Sequence, residues 1–434
     1  YLIGMQLWEK HKENIQGDIL YKVTDHLNLS ALLLDKQQKD MLAFLNAKAG
    51  EAAKNAAAFE SAYGYFAIGK ELLNKASWST EYELTYQIYR GLGECAYLNS
   101  DFQIAEEAFE ILLKRSKTTE ERISVYNLKL ILYTHQRRLE EAVESGKKGL
   151  SLYGWKLERS IGYVNIIKEL LLIQLYTIGK KPSDLLNLPP ITSMQHKLVI
   201  ESMINMNSPT YHIDQKLATY LMFRAFRYTL RHGDTELTAL VYNNYSLILS
   251  AGFGNFDKSY HFGKLARDHA EKSNISNIKG RVYFVFGSFV NHWKHHMKEN
   301  LESLLKAQKI SLESGNFHLA GASSSLIIVT KLIKSDNLKD ILSEIENQLA
   351  LVNKIQYFLS IKFIEEMKAW TEWLLDSEKT VPSNLFDDEE DASAFIMHNT
   401  IRLQMYYIMN DEKRAKQIIN ALNRKVTKTL VLVI

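Results

Sequence analysis

The chain has 434 residues, of which 46% are hydrophobic and 24% are charged, a balance typical of soluble globular proteins. Its 53 basic and 50 acidic residues leave a formal net charge of +3, too small an excess to indicate a nucleic-acid or membrane-surface partner. A single cysteine excludes internal disulfides and thiolate-rich zinc clusters, and it favours a reducing, cytoplasmic location.

The beginning of the chain carries no basic-then-apolar segment, and no apolar run approaches the length of a membrane-spanning helix. We therefore expect no signal peptide and no membrane insertion. Because Tyr1 stands where an initiator methionine would be, we expect the chain to be a piece of a longer protein.

Proline is rare, and its distribution permits long helices, because proline breaks the hydrogen bonding of a helix interior. Four of the five prolines, Pro182, Pro189, Pro190 and Pro209, lie in one stretch, and Pro382 lies far downstream. Strand-like alternation of Val, Ile and Thr is nearly absent. The sequence predicts an all-α fold.

A helix opening recurs along the chain: an apolar residue, two polar residues, then a small residue one turn later. It returns with decreasing fidelity at a period of about 37 to 43 residues, close to that of tetratricopeptide repeats. The first and fourth residues of each occurrence are Phe59 and Ala62, Phe102 and Ala105, Leu139 and Ala142, Phe256 and Ser259, Met297 and Asn300, Leu338 and Ile341, and Glu412 and Ala415. Since one hairpin cannot bury its apolar face alone, we expect stacked hairpins forming a right-handed α-solenoid.

The first block of tetratricopeptide-like hairpins is expected over residues 1–180. Helices predicted over 83–98, 124–134 and 139–152 belong to it. The segment 64–70 has phosphate-loop spacing, but it continues into Glu71 and lies in mid-helix, where backbone amides are already bonded. Cys95 lies on an apolar stripe and is interpreted as a small buried hydrophobe. We expect no nucleotide site, no catalytic residue and no cofactor.

A proline-rich break with a connecting helix is predicted over residues 181–212. The helix is expected to run over 191–207 and to end before Pro209. A second block of hairpins follows over 213–376, with helices at 216–231 and 236–251.

One face of the 216–231 helix carries the first candidate partner-binding residues. Arg224, Arg227 and Arg231 share that face, with Tyr220 and Tyr228 beside them. Arginine forks bind carboxylates and phosphates well, so this face could hold an acidic peptide or a phosphate. The alternative, a solvated helix face, is favoured by helix statistics and stays open.

The second candidate is the histidine cluster at 292–296. His292 and His296 would lie one helical turn apart, a spacing that can chelate a transition metal, but no further carboxylate or thiolate accompanies them. Partly exposed histidines at a helix end explain the cluster equally well. We predict no metal site and take His292 and Trp293 as candidate partner-binding residues.

The chain is expected to close with an acidic loop over 377–391 and capping helices over 392–434. The run 387–391 could be a docking patch, although a solvated loop is the favoured interpretation.

Several short stretches together resemble the helical-repeat region of large STAND-type ATPases in bacterial and fungal multidomain sensor kinases. The resemblance covers residues 1 to about 330 and lies in the segments 2–4, 23–28, 82–85, 96–102, 126–133, 184–189, 262–266, 281–286 and 291–293. It implies that the nucleotide site lies outside this chain, and that the chain begins just after the ATPase module. The implied role is a sensor arm that binds a trigger or the ATPase itself.

The sequence therefore predicts a non-catalytic scaffold that binds protein segments and controls an adjacent ATPase or kinase module. The alternative is a stand-alone peptide-binding adaptor or a secreted bacterial effector. Neither interpretation involves nucleic acid.

Overall fold

The computed structural model describes residues 1–155, 157, 161–273, 275–376 and 392–426. This described part is helical and contains no β-strand, which confirms the expected all-α class. Its α-helices are α1 Leu2–His11, α2 Gly17–Asn28, α3 Lys36–Asn55, α4 Phe59–Leu72, α5 Ser77–Thr80, α6 Tyr82–Leu98, α7 Phe102–Arg115, α8 Thr119–His135, α9 Leu139–Ser151, α10 Tyr163–Thr177, α11 Met194–Asn205, α12 Asn207–Ile213, α13 Gln215–His232, α14 Thr238–Ala251, α15 Phe256–Lys272, α16 Ser276–Val285, α17 Asn300–Glu313, α18 Phe317–Ile333, α19 Leu338–Lys354, α20 Phe358–Leu375, α21 Ala392–Ile408 and α22 Glu412–Val426.

The helices group into two compact units. Unit 1 comprises Tyr1–Ser160 and Ser193–Ala218, and unit 2 comprises Ile161–Thr192 and Thr219–Ile434. The five segments expected from the sequence, with boundaries at 180, 212, 376 and 391, stay a prediction. The segment 377–391, with its acidic run and Pro382, lies outside the described residues.

Antiparallel hairpins are the building blocks of both units, as the repeat predicts. In unit 1, α3 pairs with α4, α6 with α7 and α8 with α9; in unit 2, α14 pairs with α15, α16 with α17 and α21 with α22. Each predicted opening residue starts a helix, except that Met297 starts a 3-10 turn that leads into α17. The fourth-position residue is buried in the first six occurrences, so it lies where two helices approach closely. The expected solenoid of tetratricopeptide-like hairpins is confirmed.

Tight turns of one geometry join many consecutive helices. The middle residue of each is left-handed: Ala57, Ser100, Arg137, Gly315, Ser335, Gln356 or Asn410. The next amide then donates to a carbonyl five residues back, as from Arg138 to Tyr133 at 2.9 Å. This Schellman arrangement satisfies carbonyls at the helix end and reverses the chain.

Several hydrogen bonds and ion pairs between consecutive hairpins join residues 39 or 40 positions apart. This separation matches the repeat period, because equivalent positions of neighbouring hairpins meet. In unit 1 the contacts include Lys54 Nζ to Glu94 Oε2 at 2.8 Å and Tyr65 Oη to Asp25 Oδ1 at 2.9 Å; in unit 2 they include Gln308 Nε2 to Gln348 Oε1 at 2.6 Å and Ser360 Oγ to the Gly321 carbonyl at 2.7 Å.

The region around Pro209 differs from the prediction. The expected single helix over 191–207 is instead α11, and Pro209 lies inside the following helix, α12. Pro209 is the third residue of α12, where a backbone amide would have no acceptor within the helix, so its missing donor costs little.

Among the described residues, no helix combines the length and the apolar character that crossing a bilayer requires.

Candidate functional site

The segments considered for catalysis have structural roles. The residues 64–70 lie inside α4, as predicted, and their amides belong to its hydrogen-bond ladder. Cys95 is fully buried in α6, and burial raises the pKa of its thiol to about 12. A thiol with such a pKa is protonated at neutral pH and is a poor nucleophile.

The histidine cluster does not lie on a continuous α-helix, so the expected one-turn spacing of His292 and His296 is wrong. After α16, the chain forms a π-helical turn over Phe286–Val290 and a 3-10 turn over Asn291–Trp293. The two histidines have different environments. The His292 ring nitrogens are buried, whereas exposed His296 accepts a hydrogen bond from the Lys298 amide at 3.1 Å.

Trp293 is held in place by its own neighbours. Its ring stacks on Phe256 with centroids 4.3 Å apart, and its indole nitrogen donates to the Phe289 carbonyl at 3.1 Å. Across the described residues, no group of three or more His, Cys, Asp or Glu side chains is placed to hold a metal ion. A role of His292 and Trp293 in partner binding stays a prediction.

The arginine face of α13 binds an acidic group of the same chain. Arg227 Nε lies 2.6 Å from Glu169 Oε2, and an Arg224 terminal nitrogen lies 3.1 Å from Glu169 Oε1. Glu169 belongs to α10 and its side chain is only 4% exposed. A carboxylate buried this deeply requires cationic partners, because an uncompensated charge in a protein interior is costly.

The remaining members of the arginine face differ in exposure. Arg224 also donates to the Tyr220 hydroxyl at 3.0 Å, while Tyr228 packs against His232 with ring centroids 4.1 Å apart. Arg231 is exposed. An outside acidic ligand would therefore meet Arg231 first, and it would compete with Glu169 for Arg224 and Arg227. The use of this face by a partner stays a prediction.

A groove in unit 1, which the sequence analysis did not find, combines aromatic rings with cations. It encloses about 490 Å³ between the α4–α6 connection and the end of α7, and we call it the basic groove. This volume is in the usual range of ligand-binding clefts. Its lining residues are Leu73, Asn74, Lys75, Trp78, Thr85, Tyr89, Ile111, Lys114 and Arg115.

The short helix α5 builds the aromatic wall of the basic groove. It carries Trp78, which is 9% exposed and lies 5.1 Å from the ring of Tyr89 on α6. The Arg115 guanidinium lies 5.8 Å from the Trp78 ring centroid, within the range of a cation–π contact. Burial raises the pKa of Tyr89, and the positive charge of Arg115 opposes that rise.

The charge of the basic groove is not neutralised locally. Its cations Lys75, Lys114 and Arg115 are exposed, and within the described part of the chain none of them makes an ion pair. Among the residues that the structure describes, no carboxylate lines the groove. Lys114 and Arg115 also lie in the last turn of α7, where positive charge is favourable beside the negative end of the helix dipole. The groove therefore presents apolar rings under a positive field.

Sequence reasoning missed the basic groove because its residues come from three separate elements. The available signal was Trp78 in a short segment between two long helices, followed one repeat later by the adjacent cations Lys114 and Arg115.

Comparison with known proteins finds a distant sequence similarity to a signalling protein. No family model matches the chain. It is 22% identical over 352 residues to the hybrid signal transduction histidine kinase G of Dictyostelium discoideum, a match that covers 72% of this chain and 10% of the kinase. The chain thus spans about a tenth of the length of this curated relative. The resemblance to a sensor-kinase region is confirmed by this similarity.

The solved structures that are similar to the chain include the following two. One is a STAND protein with a tetratricopeptide repeat sensor from Pyrococcus horikoshii, at 12% identity and a TM-score of 0.43, covering 91% of this chain and 55% of that chain. The other is a Rap protein complexed with competence and sporulation factor, at 12% identity and a TM-score of 0.37, covering 87% of this chain and 99% of that chain.

Proposed function

We propose that the chain is a non-catalytic interaction module that binds an acidic protein segment in the basic groove. The observation that carries this proposal is the set of three unpaired cations around Trp78 and Tyr89. An extended segment with carboxylates and one apolar side chain fits both components, since the carboxylates meet the cations and the apolar group packs on the rings.

We further propose that this binding regulates a signalling module on the same polypeptide. The similarity to a hybrid histidine kinase supports this placement over the alternative of a stand-alone adaptor or effector. The bound segment would shift the attached module between its on and off states only if it binds one state more tightly than the other.

The binding test uses a short fluorescein-labelled peptide of glutamates around one phenylalanine, followed by fluorescence anisotropy. We expect the triple variant Lys75→Ala, Lys114→Ala and Arg115→Ala to bind at least about tenfold more weakly than the unmodified chain. We also expect binding to weaken with added salt, because the attraction is screened.

A matched triple variant controls for net charge. Lys36, Lys70 and Lys148 are exposed residues of unit 1 outside the basic groove. Their replacement by alanine removes the same charge, and it should leave affinity within about twofold because these cations do not line the groove. Equal losses in both triple variants would refute the basic groove as the site.

A further inference from the structure

Helix α10 of unit 2 presents an apolar stripe to solvent. We call it the α10 stripe, and its residues are Val164, Ile167, Leu171, Leu175 and Ile178, each between 52% and 79% exposed. Ile178 directly follows the last turn of the helix. Contiguous exposed apolar surface of this kind marks interaction sites in soluble proteins.

The α10 stripe cannot turn inward without breaking an ion pair. The opposite face of α10, formed by Ile166, Glu169 and Ile173, is already buried. Glu169 is anchored to α13 through Arg224 and Arg227. Rotating the helix to bury the stripe would expose those apolar groups and separate these charges.

The spacing of the α10 stripe is symmetric about Leu171. The other members lie four and seven residues before it and four and seven residues after it. A second α10 that packs antiparallel, with a twofold axis at Leu171, would meet the first in register. It would place Leu171 against Leu171, Ile167 against Leu175, and Val164 against Ile178.

Polar residues also flank the α10 stripe at equal distances along the sequence from Leu171. Lys168 precedes Leu171 by three residues and Gln174 follows it by three, so the two lie on opposite flanks of the stripe, and in the antiparallel pair the two lysines share one edge of the interface while the two glutamines share the other. The two lysines are then about 9 Å apart along the helix axis, because a helix rises about 1.5 Å per residue. The arrangement thus avoids like charges in direct opposition.

We propose that the α10 stripe is a twofold self-association surface whose occupant is the α10 helix of a second copy of this chain. Twofold interfaces require a patch that is complementary to itself, which this spacing provides. One helix buries less area than a standard stable interface, so the dimer is weak and concentration-dependent. This proposal is independent of the basic groove.

Cysteine cross-linking tests the geometry on the 434-residue chain. The native thiol Cys95 is buried, so an introduced surface cysteine is the reactive group. With a short bis-maleimide, we expect the Leu171→Cys variant to cross-link to itself. We expect Val164→Cys to cross-link to Ile178→Cys in a mixture but not to itself, because two copies of residue 164 would be about 21 Å apart.

Sedimentation velocity measures the association directly. We expect Leu171→Glu to weaken self-association at least about tenfold, since it places two carboxylates together on the axis. Leu32→Glu is the control, because Leu32 is an exposed leucine of unit 1. A chain that stays monomeric at high micromolar concentration, a dimer that Leu171→Glu does not weaken, or self-cross-linking of Val164→Cys would each overturn the proposal.

Discussion

Both ring nitrogens of His292 are buried and, among the described residues, neither has a hydrogen-bond partner. Burial lowers the pKa of His292 below its ordinary value near 6.5. The unfolded chain therefore binds this proton at a higher pH than the folded chain does. The consequence is a loss of stability on acidification, and the sign follows from proton linkage.

We expect the free energy of unfolding to fall as pH decreases from about 6.5 towards 5, and we expect His292→Gln to flatten this dependence. Urea denaturation of unit 2, followed by circular dichroism at several pH values, measures it. His296→Gln serves as the control because His296 is exposed. The explanation fails if the two variants show the same dependence as the unmodified chain.

The sequence alone did not reveal which acidic residue pairs with the arginine face of α13. The arginine face of α13 was predicted from helical spacing, and the residues do share a helix. Their partner Glu169 is 55 to 58 residues away, across the proline-rich break, so no local pattern joins them. The available hint was Glu169 itself, the one acidic residue in the apolar sequence of α10.

At the scale of elements, the turn geometry has a measurable cost. Arg137 has φ 57° at the centre of the α8–α9 turn, a region that costs residues with a Cβ about 1 kcal/mol. Glycine occupies this region without that penalty, although it loses more entropy on folding.

We therefore expect Arg137→Gly to raise the free energy of unfolding of unit 1 by about 0.5 kcal/mol, the difference between these two effects. Gly315 has φ 71° in the equivalent α17–α18 turn, so Gly315→Ala should lower the stability of unit 2 by about 1 kcal/mol. Chemical denaturation shows whether each substitution raises or lowers the free energy of unfolding. A destabilising Arg137→Gly would show that the arginine side chain stabilises the turn.

The elements themselves were largely predictable because their signals are local. The apolar-to-small opening marks helix starts through contacts one turn apart, and these starts were confirmed along both units. The helix predicted over 191–207 was expected to end before Pro209, and α11 does end before it, at Asn205; the next helix, α12, which holds Pro209 in its first turn, was not predicted. The short helix α5 has too few residues for a periodic pattern, and the basic groove that it completes was missed with it.

At the scale of the whole molecule, both units contain carboxylates with lowered pKa values. In unit 1, burial alone would raise the pKa of Glu94, but Arg90 and Lys54 lower it below its ordinary value. In unit 2, hydrogen bonds from Lys306 and Tyr283 lower the pKa of Glu271 to about 2. Because the unfolded chain takes up these protons first, the associated stability is present above about pH 4.5 and disappears at lower pH.

We expect acid to destabilise both units between about pH 4.5 and 2, with Glu271→Gln reducing the pH dependence of unit 2 alone. The reduction should be modest, because Glu271 is nearly half exposed and solvent screens its ion pairs. Hydrogen exchange, followed peptide by peptide across this pH range, measures the stability of each unit separately. An identical acid response of the variant and the parent chain in unit 2 would contradict this account.

Several bonds between consecutive hairpins join residues 39 or 40 positions apart, so equivalent positions of successive hairpins lie against each other at these junctions. Duplicating or deleting one complete period would therefore keep the helical register at each remaining junction, whereas an insertion of half a period would place the first helix of one hairpin where a second helix belongs. Gene duplication in phase with the repeat is thus a way to lengthen such an array while keeping the packing between its hairpins.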